Sequence, residues 1–155
     1  MDCSHIQFCL DKSLVDLEQL QELLTLGAFW AKERQIEDMA IAIAHSNPVV
    51  TVWDEDRLIG FARATSDWVY RAGIWDVVVH PDYRGRGLGR KLVETVLTHP
   101  AVNKVERVYL TTTNQQSFYE RIGFKPNGTT TMVLYNQNVD SMAMLKEQLA
   151  ADSAE

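Results

Sequence analysis

Hydrophobic positions along this chain change period several times, and each change marks a new element. Ile6–Leu10 reads as a short first strand. From Ser13 onward Leu14, Leu17, Leu20 and Leu24 recur at spacings of three and four, the period of an amphipathic helix, with Ser13 or Asp16 near its N-cap. A second helix is predicted from about Lys32 to His45, with Ile36, Met39, Ala40 and Ile43 on its apolar face, and Asn47-Pro48 stops it. The period then falls to two. Val49–Trp53 and Leu58–Thr65 flank the polar loop Asp54-Glu55-Asp56-Arg57 and predict a hairpin. Ile74–Val79 is rich in β-branched residues and reads as a strand buried on both faces, closed by His80-Pro81. A glycine-rich turn follows, then a helix from about Gly87 to Thr98 with Leu88, Leu92, Val93 and Val96 inward. Lys104–Thr112 predicts a further strand, and Ser117–Ile122 a short helix closed by Gly123. Phe124 and Met132–Tyr135 predict the last two strands around a turn at Asn127-Gly128. Val139, Met142, Leu145 and Leu149 then return to helical spacing. The order β-α-α-β-β-β-α-β-α-β-β is that of an α+β (mixed α/β) fold, with helices on the faces of one sheet.

Length and composition narrow the class of protein. At 155 residues, 46% of them hydrophobic, the chain fits a single domain over 1–155, with its core at about 5–136 and a tail at 137–155. The net charge of -6 argues against a nucleic-acid partner, which wants a basic face. No run of 18 apolar residues suggests a membrane span, and the opening MDCSHIQFCLD carries no basic or apolar leader. Two cysteines, Cys3 and Cys9, lack CxxC spacing and fit a reducing compartment, so a cytoplasmic protein is expected. His5, His45, His80 and His99 show no ligand spacing, and no metal site is expected.

The chemistry concentrates between Ile74 and Lys91. A strand runs into a turn holding Gly85, Gly87 and Gly89, and a helix opens there. Glycines let backbone N–H groups approach an anion without an intervening Cβ, and a helix N-terminus adds unsatisfied donors and partial positive charge. Arg84, Arg86, Arg90 and Lys91 place four cations within eight residues of an acidic chain. That local inversion calls for a phosphate-bearing ligand. The spacing is neither the GxGxxG of dinucleotide folds nor the GxxxxGK[ST] of nucleoside triphosphatases.

Arg84-x-x-Gly87-x-Gly89 resembles the pyrophosphate signature of the GNAT superfamily of N-acetyltransferases. The strand ending in His80-Pro81 and the downstream Phe118-Tyr119-Glu120-Arg121-Ile122-Gly123-Phe124 are similar to two further elements of that family, in the same order. The likeness spans roughly Val49 to Tyr135. IWDVVVHPDYRGRGLGRKLVE more narrowly resembles the plant plastid and cyanobacterial branch, which includes enzymes assigned as serotonin (arylalkylamine) N-acetyltransferases.

The resemblance implies a mostly antiparallel sheet of six to seven strands, splayed between the fourth and fifth and flanked by about four helices. It implies acetyl-CoA as cosubstrate. Backbone N–H groups of Arg86, Gly87, Gly89 and Arg90 would hold its pyrophosphate, with Arg84 and Gly85 shaping the turn and Leu88 within it. Val77, Val78 and Val79 would pair with the pantetheine arm, with the Val77 N–H placed to polarise the thioester carbonyl. Tyr119 falls at the family's proton-donor position. Asp76 occupies a position that is acidic in the plastid-like branch, so it is either the base or a structural hydrogen-bonding group. Seven residues before the tyrosine, where the family carries Asn or Asp, this chain has Thr112, which with Tyr119 is expected to contact the cofactor and can hydrogen-bond but cannot accept a proton at neutral pH; Asn114 is out of register.

An alkyl amine with a pKa near about 10.4 must lose a proton before attack, so a base, a water relay or bulk solvent is required. Phe29, Trp30 and Trp75, with Asp76, are the residues expected to line an acceptor pocket. The leading expectation is acetyl transfer to a small primary amine such as an arylalkylamine. Transfer to protein α-amino or lysine ε-amino groups is the alternative, and a non-catalytic acyl-CoA sensor a third. An apolar tail and exposed strand edges suit a homodimer.

Overall fold

A computed structural model describes residues 5–128 and 130–136. The chain divides into two compact units, Met1–Leu110 and Thr111–Glu155.

The first unit is built on one sheet in the order β1-β2-β3-β4-β5. Its strands are β1 (Ile6–Cys9), β2 (Val49–Asp54), β3 (Arg57–Ser66), β4 (Arg71–Val79) and β5 (Arg107–Tyr109). The first four pair antiparallel, and β5 joins β4 in parallel. Three α-helices cover the sheet: α1 (Leu17–Gly27), α2 (Ile36–Ala44) and α3 (Leu88–Thr98). Strand alternation separates two cores. Leu20, Leu23 and Leu24 of α1 and Met39 and Ile43 of α2 pack with Val49, Leu58, Phe61 and Val78 on one face. Val50 opposite Ala62, and Ala64 opposite Ile74, point to the other face, where α3 buries Leu88, Leu92, Val93 and Val96.

The predicted helices form with shifted starts. Asp16, not Ser13, caps α1, accepting from the N–H groups of Glu18 and Gln19 at 3.1 and 3.2 Å. The second helix begins at Ile36 rather than about Lys32, because Phe29–Ala31 forms a 3-10 turn first. β4 is not buried throughout, since Trp75 and Arg71 are exposed.

The second unit contains α4 (Gln116–Ile122), closed by Gly123 at a positive φ of 123°. The sheet has five strands, not the six to seven expected. No strand forms at Phe124 or Met132–Tyr135, and Met132, Val133 and Leu134 are 95%, 66% and 89% exposed. Alternation alone does not make a strand, which needs a ladder partner, and these segments have none among the described residues. The tail from Val139 lies outside the described residues.

Asp16 also receives Gln19 Nε2 at 3.2 Å, and Gln19 Oε1 accepts the Leu58 N–H at 2.9 Å, so the cap ties α1 to β3. Asp16→Ala is expected to lower unfolding free energy by about 1 kcal/mol in urea titrations, with an unchanged denaturant slope.

Candidate active site

β4 controls the site through one irregularity. Val78 pairs with Phe61 and Trp75 with Arg63, so Asp76 and Val77 together oppose Ala62. Two residues against one is a β-bulge, and Asp76 takes a positive φ of 56°, a conformation aspartate tolerates better than most residues. The bulge turns the Asp76 carboxylate onto the face covered by α1 and α2. There Oδ2 accepts from Arg34 at 2.6 Å and from Arg63 Nε at 2.8 Å. Among the described residues, Oδ1 receives the Trp30 indole N–H alone, at 3.4 Å.

The Asp76 side chain is 6% exposed. Burial pushes its pKa up, but the hydrogen bonds and charges of Arg34, then Arg63, outweigh that and hold it below the ordinary carboxylate value. Asp76 is therefore a persistent anion and a weak proton acceptor at neutral pH. A cavity of about 240 Å³ opens beside it, walled by Leu20, Leu24, Met39, Ala42, Ile43 and Phe61, with Arg34, Asp38, Arg63 and Asp76 as its polar groups.

Beyond the bulge, β4 presents a bare edge. β5 pairs with it only at Arg71, Ala72 and Gly73, and no described strand covers that edge from Trp75 to Val79. This is the splay expected between the fourth and fifth strands, and it leaves the edge at Val77–Val79 without a strand partner among the described residues, with the Val79 carbonyl accepting from Arg84. Val78 turns its side chain into the core.

The glycine turn leads on from this edge. Gly85 and Gly87 adopt positive φ of 77° and 78°, and a Cβ added at either would meet nothing within 4 Å. Gly87 is the N-cap of α3, so no side chain caps the helix, and no acidic residue sits in its first turn. The N–H groups that open α3 are thus left for an outside acceptor. Leu88 is buried and anchors the helix. Arg84 Nε reaches back to the Val79 carbonyl at 3.3 Å, while Arg86 lies 5.1 Å over the Tyr83 ring and Arg90 pairs with Glu94 at 2.8 Å. An uncapped helix start, two open left-handed glycines and flanking cations fit a pyrophosphate. The bare edge of β4 fits the amide-bearing arm of a coenzyme A thioester.

In the second unit, Tyr119 of α4 packs edge-on against Phe118 and Phe124, with ring centroids 4.9 and 5.8 Å away. Burial pushes its pKa up to about 12, so the phenol keeps its proton across the neutral range. The Thr112 hydroxyl accepts the Gln115 N–H at 3.1 Å in the turn before α4.

Of the aromatics expected around an acceptor, none lines the cavity. Trp30 instead touches Asp76, Phe29 meets Trp30 edge-on at 5.2 Å, and Trp75 stands exposed on β4. Arg34 and Arg63 went unnoticed in the sequence. A single arginine inside the apolar stretch Leu58–Ala64 was the available signal. Among the described residues no group of His, Cys, Asp and Glu could hold a metal, and no helix is long and apolar enough to cross a membrane.

A strand with a free edge leads through an anion-cradling turn into a helix, an arrangement that fits a coenzyme A thioester. Residues 15–124 match the acetyltransferase (GNAT) family, and the chain belongs to that family as an acetyl-CoA-dependent N-acetyltransferase. It is 36% identical over 135 residues to the uncharacterized N-acetyltransferase ycf52 of Porphyra purpurea, covering 79% of this chain and 72% of that one. It is 42% identical over 84 residues to the chloroplastic GCN5-related N-acetyltransferase 2 of Arabidopsis thaliana, covering 52% of this chain and 33% of the relative. Histone acetyltransferase TAP1 of Glycine max is 40% identical over 85 residues, covering 53% and 37%. A crystal structure from Xanthomonas campestris, of a protein assigned to the GNAT family, superposes with a TM-score of 0.78 at 31% identity, covering 88% of this chain and 97% of that one.

Two predictions follow from this geometry. An alanine at position 87 must hold a left-handed conformation that costs about 1–2 kcal/mol, so Gly87→Ala should lower the unfolding free energy by about that amount in urea titrations. Asp76→Asn should lower stability by about 3 kcal/mol at neutral pH, because two guanidiniums lose their charged partner. Asp76 is held below its unfolded value, so its contribution is full above about pH 3.9 and disappears as pH falls through the folded pKa. Unfolding curves of the two proteins should accordingly converge in acid.

Proposed function

We propose that the enzyme transfers the acetyl group of acetyl-CoA to a small primary amine, most readily an arylalkylamine of the tryptamine or serotonin type. The observation that carries this reading is Asp76. A carboxylate kept ionised by Arg34 and Arg63, with Oδ1 lightly engaged, complements a protonated amine. The resemblance of the Ile74–Glu94 segment to the plastid and cyanobacterial branch supports the aryl preference.

Acetyl-CoA, when bound, supplies an acetyl group activated as a thioester. The chain's own contribution begins with the turn Arg84–Arg90, whose backbone donors hold the pyrophosphate. The edge at Val77–Val79 aligns the pantetheine arm, and the Val77 N–H faces the charge that develops on the carbonyl oxygen. Asp76 docks the acceptor cation and does not take its proton, because its two arginine partners favour the charged form. The proton leaves to water. As the carbon–sulfur bond breaks, Tyr119 acts as the proton donor to the departing thiolate and regains a proton from water, and its high pKa restores it to the donor state.

A second reading, transfer to protein amino groups, is favoured by the likeness to the soybean histone acetyltransferase. We place the reaction in the cytoplasm. The chloroplastic relative makes the plastid the other compartment to examine.

Assays against tryptamine, an aliphatic amine, lysine-bearing peptides and peptide α-amines separate these readings. Saturable transfer to tryptamine with no transfer to peptides is expected, and the reverse pattern overturns the proposal. Without a protein base, kcat/KM for tryptamine should climb with pH through neutrality toward the amine pKa of about 10.4. Asp76→Asn should raise the amine KM while leaving the shape of that profile unchanged. A profile that levels near pH 7 in the wild type and loses its limb in Asp76→Asn would restore Asp76 as the base.

A further inference from the structure

The geometry points to Trp75 as the residue that selects an aryl group on the acceptor, by offering a fixed indole face on which that group stacks. This rests on the reading of Asp76 as the docking point for the acceptor cation.

The indole is held on one side and bare on the other. A Cβ built on Gly73 would lie 2.7 Å from Trp75 Cζ2 and 2.9 Å from both Cε2 and Nε1, so the ring lies directly over the bare Gly73 backbone. Any side chain at position 73 would lift it. The indole N–H donates to Thr65 Oγ1 at 2.9 Å, which fixes the ring's rotation. Both restraints act from below, and Trp75 remains 37% exposed. A tryptophan pinned at its polar edge and inner face has little conformational freedom left to lose when a ligand stacks on its outer face.

The shelf stands beside the charge. Asp76 follows Trp75 in β4, and the two reach Arg63 and Thr65, which lie two apart in β3 and so on one face of the sheet. An acceptor whose ammonium sits on Asp76 Oδ1 has the Trp75 ring as a neighbouring apolar surface. An aryl ring gains more there than an alkyl chain does, because offset stacking adds to area burial. The cavity beside Asp76 is the competing location for that apolar body, and its walls are aliphatic apart from Phe61.

The test compares tryptamine with n-octylamine, by equilibrium titration in the presence of coenzyme A and by turnover. The wild type is expected to prefer tryptamine, Trp75→Ala to lose about tenfold more in tryptamine affinity than in octylamine affinity, and Trp75→Phe, which keeps an aromatic face but has no N–H for Thr65, to keep part of the preference. Thr65→Val, which frees the ring to rotate, should give an intermediate loss. Ala42→Phe, which fills the cavity, should leave tryptamine binding intact. Coenzyme A affinity reports folding and should be the same in all four variants. A tryptamine preference that survives Trp75→Ala, or that is lost in Ala42→Phe instead, overturns the shelf, as does a wild type without any preference. Tryptamine that binds through Trp75 but is never acetylated overturns the proposed reaction and leaves the shelf standing.

Discussion

The site depends on how one buried carboxylate is neutralised. Stripping water from Asp76 costs several kcal/mol unless cations replace it, and the two that do so come from separate parts of the chain. Arg34 lies between α1 and α2, and Arg63 lies in β3. Arg63 also donates to Ser46 Oγ at 3.3 Å, and Ser46 in turn donates to the Ala42 carbonyl at 2.6 Å. Satisfying one charge thus links the β4 bulge to β3, the helix connection and the end of α2. The bulge makes this possible, because a regular strand would alternate Asp76 onto the α3 face, away from both arginines.

The same stretch of β4 serves both substrates of the proposed reaction. One side of the bulge presents the lightly engaged Asp76 Oδ1 and a pinned indole to an acceptor. The strand beyond it presents an unpaired edge that leads into the glycine turn. Pairing with β5 ends at Gly73, where the splay begins, so the sheet leaves that edge open for a ligand. Positive φ at Asp76, Gly85 and Gly87 marks the points where regular structure yields to the site. The conformational cost at these positions is borne by a sheet and two cores that hold them in place.

Much of this is legible in the sequence alone. The helix and strand periods located every α-helix and strand through α4 but not the 3-10 turns, since buried faces impose their spacing directly on the sequence. The glycine turn was legible because left-handed backbone and close approach to phosphate restrict residue choice locally. Asp76 stood out as a charge in an apolar strand, but its role did not, because a base and a docking anion look alike until the neighbours are known. Thr112 was singled out as a departure from the family pattern, and its hydroxyl serves the turn before α4. The two strands expected after Gly123 failed for a related reason, since alternation carries no information about whether a partner is within reach.

The sequence by itself determined the order of elements, the anion-binding turn, the family likeness and the residue types able to do the chemistry. Each follows from local constraints of period, dihedral angle and charge. Only the tertiary structure decided which arginines face Asp76, that the carboxylate is therefore a poor base, and that Trp75 lies pinned on Gly73 instead of lining the cavity. Those outcomes depend on strand register and on a one-residue bulge, and a single-residue shift in a strand moves every following side chain to the opposite face.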